Sequence, residues 1–233
     1  MNEDLRSLCQ ALLKDSTADA AAAALRRRPG WGVGTPPSEF VSALLAMDFN
    51  QPDRQLALAR PWDRVALGEA LWQGFGRITR PVEREHAAWL LSHLASPNSW
   101  RSIARRVIEP QETREIRVFL IQALDRLCLE RHIGWAEIGT LIATLARDPD
   151  PAVRQAAIDL LISLPSCAEM RAILIERLDD THESVLRATL HAFIMKGINL
   201  DHPRLRELAA DPRSAVRLEA QGIIGRQTRQ PRV

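Results

Sequence analysis

The stretch DPDPAVR at residues 148–154 returns as DPRSAVR at residues 211–217, and this repetition decides the fold. A weaker copy, DTHESVL, lies between them at residues 180–186. The three copies begin 32 and 31 residues apart, at Asp148, Asp180 and Asp211. In each copy, a valine five residues after the aspartate begins an amphipathic stretch. A period of this length indicates a helical hairpin that recurs along the chain.

Apolar residues recur at steps of three and four almost everywhere after residue 38, and strand signals are nearly absent. A fourth copy places Ile116 and Arg117 in the columns of Val153 and Arg154. Before it, the register decays, and segments such as PVEREHAAWLLSHL are not assigned to repeat columns. We therefore predict an all-α protein, a right-handed α-solenoid of stacked antiparallel helical hairpins with about five to six helix pairs.

Three regions follow from this pattern. Residues 1–96 form an N-terminal helical region of degenerate repeats or a cap, and residues 228–233 form a basic, disordered tail. Between them lie the repeats, which occupy residues 97–227 in four segments: 97–130, 134–164, 166–197 and 201–227.

The phrase Asp-x-Asp-Pro-x-Val-Arg, with alanine in the next turn, resembles the HEAT-repeat family. The resemblance is good over residues 134–227 and fair over 97–130. It implies that the repeated arginine pairs with the turn aspartate of a neighbouring repeat. The structural ladder would then comprise Asp148, Arg154, Asp180, Asp211, Arg217 and Arg117. Independently, a turn aspartate can cap the second helix by accepting a free backbone N–H, a contribution of ~1 kcal/mol.

Composition limits the function classes. The chain has 233 residues, of which 46% are hydrophobic, so it can bury a core without a metal or disulfide. A net charge of +2 argues against a strongly nucleic-acid-binding chain. The N-terminal residues MNEDLRSLCQ lack a signal-peptide core, and the three cysteines are widely spaced. We expect a cytoplasmic, bacterial protein with no membrane segment.

No catalytic motif is present: HExxH, GxSxG, Walker and EF-hand patterns are all missing from the sequence. His86 and His93 share a helix face but lie about 10 Å apart along the axis, too far for one metal. We therefore expect no enzyme activity, no catalytic residue, no cofactor and no metal.

The resemblance also implies that the second helices line a concave face. Counting from the anchors gives the outward positions of those helices, and Trp31, in a glycine-flanked loop, is a further candidate contact. The predicted partner-binding residues are Gln122, Arg126, Gln155, Asp159, Arg187, His191, Arg226 and Trp31. The sequence thus favours a non-catalytic scaffold or adaptor that binds another protein or peptide and could itself act as an inhibitor- or immunity-type partner protein.

Two alternatives stay open. Residues 26–28, 105–106 and the tail carry arginines that could neutralise phosphates, and Trp62 with Asp63 could serve a base-excising site. In both respects the chain resembles DNA alkylation-repair proteins built from HEAT-like repeats. It also resembles, at the level of the fold, HEAT-like lyases that attach bilin chromophores and would act as maturation factors.

Overall fold

Helix is the regular structure throughout the part of the chain that the computed structural model describes, which comprises residues 2–14, 18–28, 30–47, 52–199 and 201–229. These residues form fourteen α-helices and one 3-10 helix and contain no β-strand, which confirms the predicted all-α class. The helices are α1 Asn2–Ala11, α2 Ala18–Arg26, α3 Ser38–Ala46, α4 Pro52–Ala59, α5 Arg64–Phe75, α6 Pro81–Leu94, the 3-10 helix Pro97–Ser99, α7 Trp100–Val107, α8 Arg114–Leu129, α9 Trp135–Leu145, α10 Pro151–Ser163, α11 Ala168–Arg177, α12 Glu183–Met195, α13 Pro203–Leu208 and α14 Ser214–Arg229.

The chain divides into two compact units, Met1–Leu127 and Cys128–Val233, so the division falls near the end of α8. The prediction placed the boundary between residues 96 and 97. The 3-10 helix packs on α5, and Glu112 forms an ion pair with Arg84 of α6. These contacts join the first predicted repeat to the helices before it. Of the predicted tail, residues 228 and 229 belong to α14, and residues 230–233 lie outside the described residues.

Three hairpins make up the described part of the second unit: α9 with α10, α11 with α12, and α13 with α14. The second helices form a layer, because α10 packs on α12 and α12 packs on α14. The anchors Val153, Val185 and Val216 are fully buried, and so are Ala157 and Ala220 one turn further on. Small residues there let neighbouring helices approach closely, as the repeat pattern predicts.

The first unit is built around α3, which packs on α1, α5 and α6. Its core contains the fully buried Phe40, Leu44 and Phe75. The loop that follows α6 lies directly on α5 at Gly68, where an added Cβ would stand 2.4 Å from the carbonyl oxygen of Leu94. Backbone cannot yield as a flexible side chain can, so this position requires glycine.

Five pairs of consecutive helices pack on each other in the described part of the chain, in keeping with the about five to six predicted: α1 with α2, α5 with α6, α9 with α10, α11 with α12 and α13 with α14. None of the described helices is both long and apolar enough to cross a membrane.

Candidate functional site

A half-buried arginine joins the first two hairpins of the second unit. Arg154 donates two hydrogen bonds to Asp180, from Nε at 2.8 Å and from Nη2 at 2.9 Å. Its Nη1 donates to the carbonyl oxygens of Asp148 at 2.9 Å and Pro149 at 3.0 Å, which belong to its own turn. One guanidinium therefore fixes two consecutive turns, and the planar fork of arginine suits this double task.

Asp180 is almost completely buried, and its charge is retained by its partners. Burial alone would raise its pKa, but the Arg154 hydrogen bonds, the N–H of His182 and the charges of Arg154 and Arg177 outweigh it. The pKa of Asp180 is consequently lower than its ordinary value. The carboxylate stays ionised at neutral pH and holds the two hairpins together.

The turn aspartates do not cap the second helices, which corrects the capping prediction. Asp148, Asp180 and Asp211 each accept the backbone N–H two residues further on, at 2.9 to 3.0 Å. Those N–H groups precede the first helical residues, so each aspartate closes a turn before its helix. The cap of α10 is instead Asp150, which accepts the N–H of Ala152 at 2.8 Å.

In the third turn, an arginine of the turn itself binds the aspartate in place of the ladder arginine. Leu186 occupies the arginine column and is buried, so α12 offers Asp211 no cation from that position. Arg213 binds Asp211 instead, through Nε at 2.8 Å and Nη2 at 2.7 Å, and reaches back to the carbonyl oxygen of Thr181 at 3.4 Å. Arg217 donates to the carbonyl oxygens of Asp211 and Pro212. An arginine thus still connects two consecutive turns. Arg213 reaches back to the preceding turn, whereas Arg154 reaches forward to the following one.

The first unit contains an arginine with the same set of contacts, which the sequence pattern did not predict. Arg84 of α6 binds Glu112 with Nε at 3.0 Å and with Nη2, and its Nη1 donates to the carbonyl oxygens of Phe75 and Ile78 at 3.0 Å. Arg117, a predicted ladder residue, donates to the carbonyl oxygen of Val107 at 2.7 Å. The signal was the spacing of Pro81 and Arg84, which matches that of Pro151 and Arg154.

A buried glutamine likewise joins neighbouring helices earlier in the first unit. Gln55 of α4 donates to the carbonyl oxygens of Leu44 and Met47 at the end of α3. Its side chain also contacts the ring of His86 on α6. Because a neutral amide replaces the guanidinium, no charge pattern marked this position in the sequence.

A second missed tie joins the ends of α10 and α12. Lys196, one of only two lysines, donates from Nζ to the carbonyl oxygen of Leu164. Burial lowers the pKa of Lys196. The lysine is thus part of the framework of the second unit rather than a free surface cation.

The outward positions predicted on α10, α12 and α14 form an accessible surface, here called the second-helix strip. None of its members is buried. They are Gln155, Asp159 and Ser163 on α10, Arg187, His191 and Met195 on α12, and Leu218, Gly222 and Arg226 on α14. Gln122 and Arg126, also predicted, are exposed on α8 in the first unit.

Asp159, Gln155 and His191 lie together in the second-helix strip. The pKa of Asp159 is raised, chiefly because surrounding protein removes water from its carboxylate, although the side chain is exposed. A hydrogen bond from Gln155 and the charge of His191 act in the opposite direction. An accessible carboxylate whose charged form is disfavoured by the surrounding protein favours a partner that supplies a further donor.

Arg187 forms an exposed ion pair with Glu219, with Nε 3.3 Å from Oε1. The charge of Arg187, a predicted partner contact, is therefore partly balanced within the chain. The other oxygen of Glu219, Oε2, is buried and has no hydrogen-bond partner among the described residues. Only one of the two oxygens of Glu219 is therefore paired.

Large apolar side chains are exposed at both ends of the strip. Leu218 is 66% exposed and Met195 is 58% exposed. Between them lies Gly222, in the interior of α14, where an added Cβ would meet nothing within 4 Å. The helix therefore contains a glycine that no contact within the described structure requires.

Trp31, which stays a predicted partner contact, packs on aromatic residues of its own chain. Its ring packs edge-to-face on Phe40 at 4.8 Å and on Trp62 at 5.0 Å between centroids. Gly32 makes this possible, since it has a φ of 84° and an added Cβ there would stand 2.5 Å from the carbonyl oxygen of Pro61. Trp62 belongs to the same cluster, and Asp63 caps α5 by accepting the N–H of Ala66 at 2.9 Å. Both residues proposed for a base-excising site thus have structural roles.

No group of three or more histidine, cysteine, aspartate and glutamate side chains is placed to hold a metal ion anywhere in the described ranges. The three cysteines are free thiols.

These hairpins and ladder contacts define a helical-repeat protein with the α-solenoid fold. The fold is similar to that of YibA from Escherichia coli, with a TM-score of 0.64 over 92% of this chain and 76% of that chain. The two sequences are 17% identical, so the likeness concerns the fold alone. No family model matches the chain, and no curated protein matches its sequence.

Proposed function

We propose that the protein is a non-catalytic scaffold of the HEAT-repeat type that binds another protein through the second-helix strip. We place it in the bacterial cytoplasm. The observation that carries the proposal is Gly222, an exposed glycine inside α14 with exposed Leu218 and Met195 at the two ends of the same strip.

Glycine in a helix interior costs about 0.5–1 kcal/mol relative to alanine. At Gly68 a close backbone contact accounts for the glycine. At Gly222 no internal contact offsets the cost, and the missing side chain instead leaves room for a partner to approach the backbone of α14. Exposed apolar side chains beside such a space are typical of interfaces.

The framework beneath the strip supports binding with little loss of conformational freedom. Arg154 and Lys196 tie α10 to the hairpin that contains α12, and Arg213 ties the next turn. A surface held in one geometry before binding has a smaller ordering cost when the complex forms. Asp159, whose carboxylate is accessible but poorly hydrated, favours a partner that brings an arginine, lysine or amide to the strip.

Nucleic-acid binding has weaker support. Arg106, one of the candidate phosphate contacts, forms ion pairs with Glu109 and Glu112. Within the strip, Arg187 is paired with Glu219. Cations already paired with carboxylates release fewer phosphate counterions than a bare basic patch would.

The test is affinity capture from a native lysate with three forms of the full chain: wild type, Gly222→Leu and Thr140→Leu. Thr140 is exposed on α9, outside the strip, and serves as the matched control. We expect wild type and Thr140→Leu to capture the same protein, and Gly222→Leu to lose it while remaining folded. The double variant Arg187→Glu and His191→Ala should weaken the same interaction. The binding measurements are then repeated with the purified partner.

Equal binding of that partner by Gly222→Leu and wild type would show that the strip is not the interface. Retention on immobilised heparin or DNA distinguishes the nucleic-acid hypothesis. A phosphate contact should fade between low and physiological salt, whereas protein binding should persist.

A further inference from the structure

A groove of about 460 Å³ opens in the first unit between α3, α5 and the start of α6. Sites for small molecules are commonly concave, apolar at the base and equipped with a few polar groups. This groove lies outside the second-helix strip and has no part in the proposed scaffold function.

The floor of the groove is apolar. Val41 and Leu45 of α3 line it and are each only 6% exposed. Gly74 of α5 lets the two helices meet there, because an added Cβ would stand 2.6 Å from Cδ1 of Leu45. The floor is therefore closed and suited to an alkyl or aryl group.

One unpaired cation stands at the rim. Arg77 lines the groove, and no residue in the described part of the chain forms an ion pair or side-chain hydrogen bond with its guanidinium. The other two charged residues of the lining neutralise each other, since Arg80 Nη1 lies 2.8 Å from Glu83 Oε1. The lining as a whole thus has a single positive charge in excess.

A second groove provides an internal comparison. It lies between α1 and α3, has a similar volume of about 450 Å³, and is also lined by one arginine, Arg6. There, however, Glu39 also lines the groove and balances the charge. Of the two, the groove between α3 and α5 is the one that favours an anion.

We propose that the groove between α3 and α5 binds a small amphipathic anion, with its apolar body on Val41 and Leu45 and its carboxylate or equivalent group on Arg77. Thr35, Ser42 and Thr79 also line the groove, and their hydroxyls are further hydrogen-bond donors for such a ligand.

The test compares three probes of one chain length by isothermal titration calorimetry with the full chain: octanoate, octanol and octylammonium. We expect octanoate to bind more tightly than octanol, and octylammonium to bind least. In Arg77→Gln the octanoate affinity should fall about tenfold, the loss expected for one charge-assisted hydrogen bond. The matched control, Arg6→Gln, should leave it unchanged.

The proposal is overturned if octanoate does not bind, or if octylammonium binds as well as octanoate. An equal affinity of wild type and Arg77→Gln would also overturn it. A loss of affinity in Arg6→Gln would place the ligand in the neighbouring groove and contradict the assignment. A failure here leaves the capture experiment on the second-helix strip unaffected, because the two surfaces share no residue.

Discussion

Burial, rather than pairing geometry, should decide how much an inter-repeat ion pair stabilises this protein. The second unit contains a matched comparison. Arg154–Asp180 and Arg147–Glu176 are both two-pronged arginine–carboxylate contacts between residues 26 and 29 positions apart. The side chains of the first pair are 13% and 3% exposed, whereas those of the second are 57% and 38% exposed.

Removal of Arg154 leaves Asp180 buried with less compensation. Breaking a buried pair typically costs 3–5 kcal/mol, and the lower end, about 3 kcal/mol, applies here. The reason is that Arg177 Nη1 stays 3.6 Å from the carboxylate and the His182 N–H still donates to it. For a chain of this size that loss lowers the melting midpoint by about 6–12 °C. Arg147→Leu should shift the midpoint far less, since water screens the exposed pair.

The assay is thermal and urea unfolding of wild type, Arg154→Leu, Asp180→Leu and the double variant, with Arg147→Leu as control. We expect a coupling energy of about 2 kcal/mol between Arg154 and Asp180. The pKa of Asp180 is lower in the folded than in the unfolded chain. The stabilisation is therefore complete above the ordinary aspartate pKa of about 4 and is lost as the pH falls through the folded value. The difference in unfolding free energy between wild type and Arg154→Leu should therefore become smaller in acid.

Two results would refute this reasoning. The first is a midpoint for Arg154→Leu no lower than that of Arg147→Leu. The second is a coupling energy below about 0.5 kcal/mol, because the effects of two independent substitutions are additive to within that amount.

Four further outcomes are expected. Gly222→Ala should raise the free energy of unfolding by about 0.5–1 kcal/mol in urea melts, since its methyl group meets open space. Gly68→Ala should lower it by about 1–3 kcal/mol, because the added methyl group overlaps backbone. The pKa of Asp159 is raised in the folded chain, so Asp159→Asn should raise the melting midpoint at pH 7 and lose that advantage as the pH falls below the ordinary aspartate value. Burial, with Glu39 nearby, raises the pKa of the Cys9 thiol to about 11, so at pH 7.5 iodoacetamide should label Cys9 more slowly than the half-buried Cys167, as read by peptide mass spectrometry.

Repetition and periodicity carried most of the fold information. The valine anchors were placed in the core because a step of 31 or 32 residues returns each to the same point of its hairpin. The same counting put Asp159, His191 and Gly222 on the accessible side of the second helices, where the structure has them. Helix periodicity is local, so a sequence can display it without any knowledge of distant contacts.

Pairing choices were much less predictable. The repeat pattern predicted that Arg154 pairs with Asp180. It could not predict that Arg213 binds Asp211 in place of the arginine that α12 lacks. Arg84 was missed because its partner, Glu112, is a glutamate in a turn of different length. The packing of Trp31 on Phe40 and Trp62 was not predicted either, because a loop tryptophan looks the same in sequence whether it binds a partner or its own chain.

The sequence by itself determined that the chain is a series of helical hairpins and which faces of the later helices are buried. Both follow from spacing along one chain, since 3.6 residues per turn and a constant repeat length place equivalent residues in equivalent positions. Only the tertiary structure decided which carboxylate each arginine binds, where Gly222 leaves space and that Arg77 stands unpaired above an apolar groove. Those features depend on side chains that are remote in sequence and near in space, where one missing methyl group or one nearby carboxylate changes the chemistry of a surface.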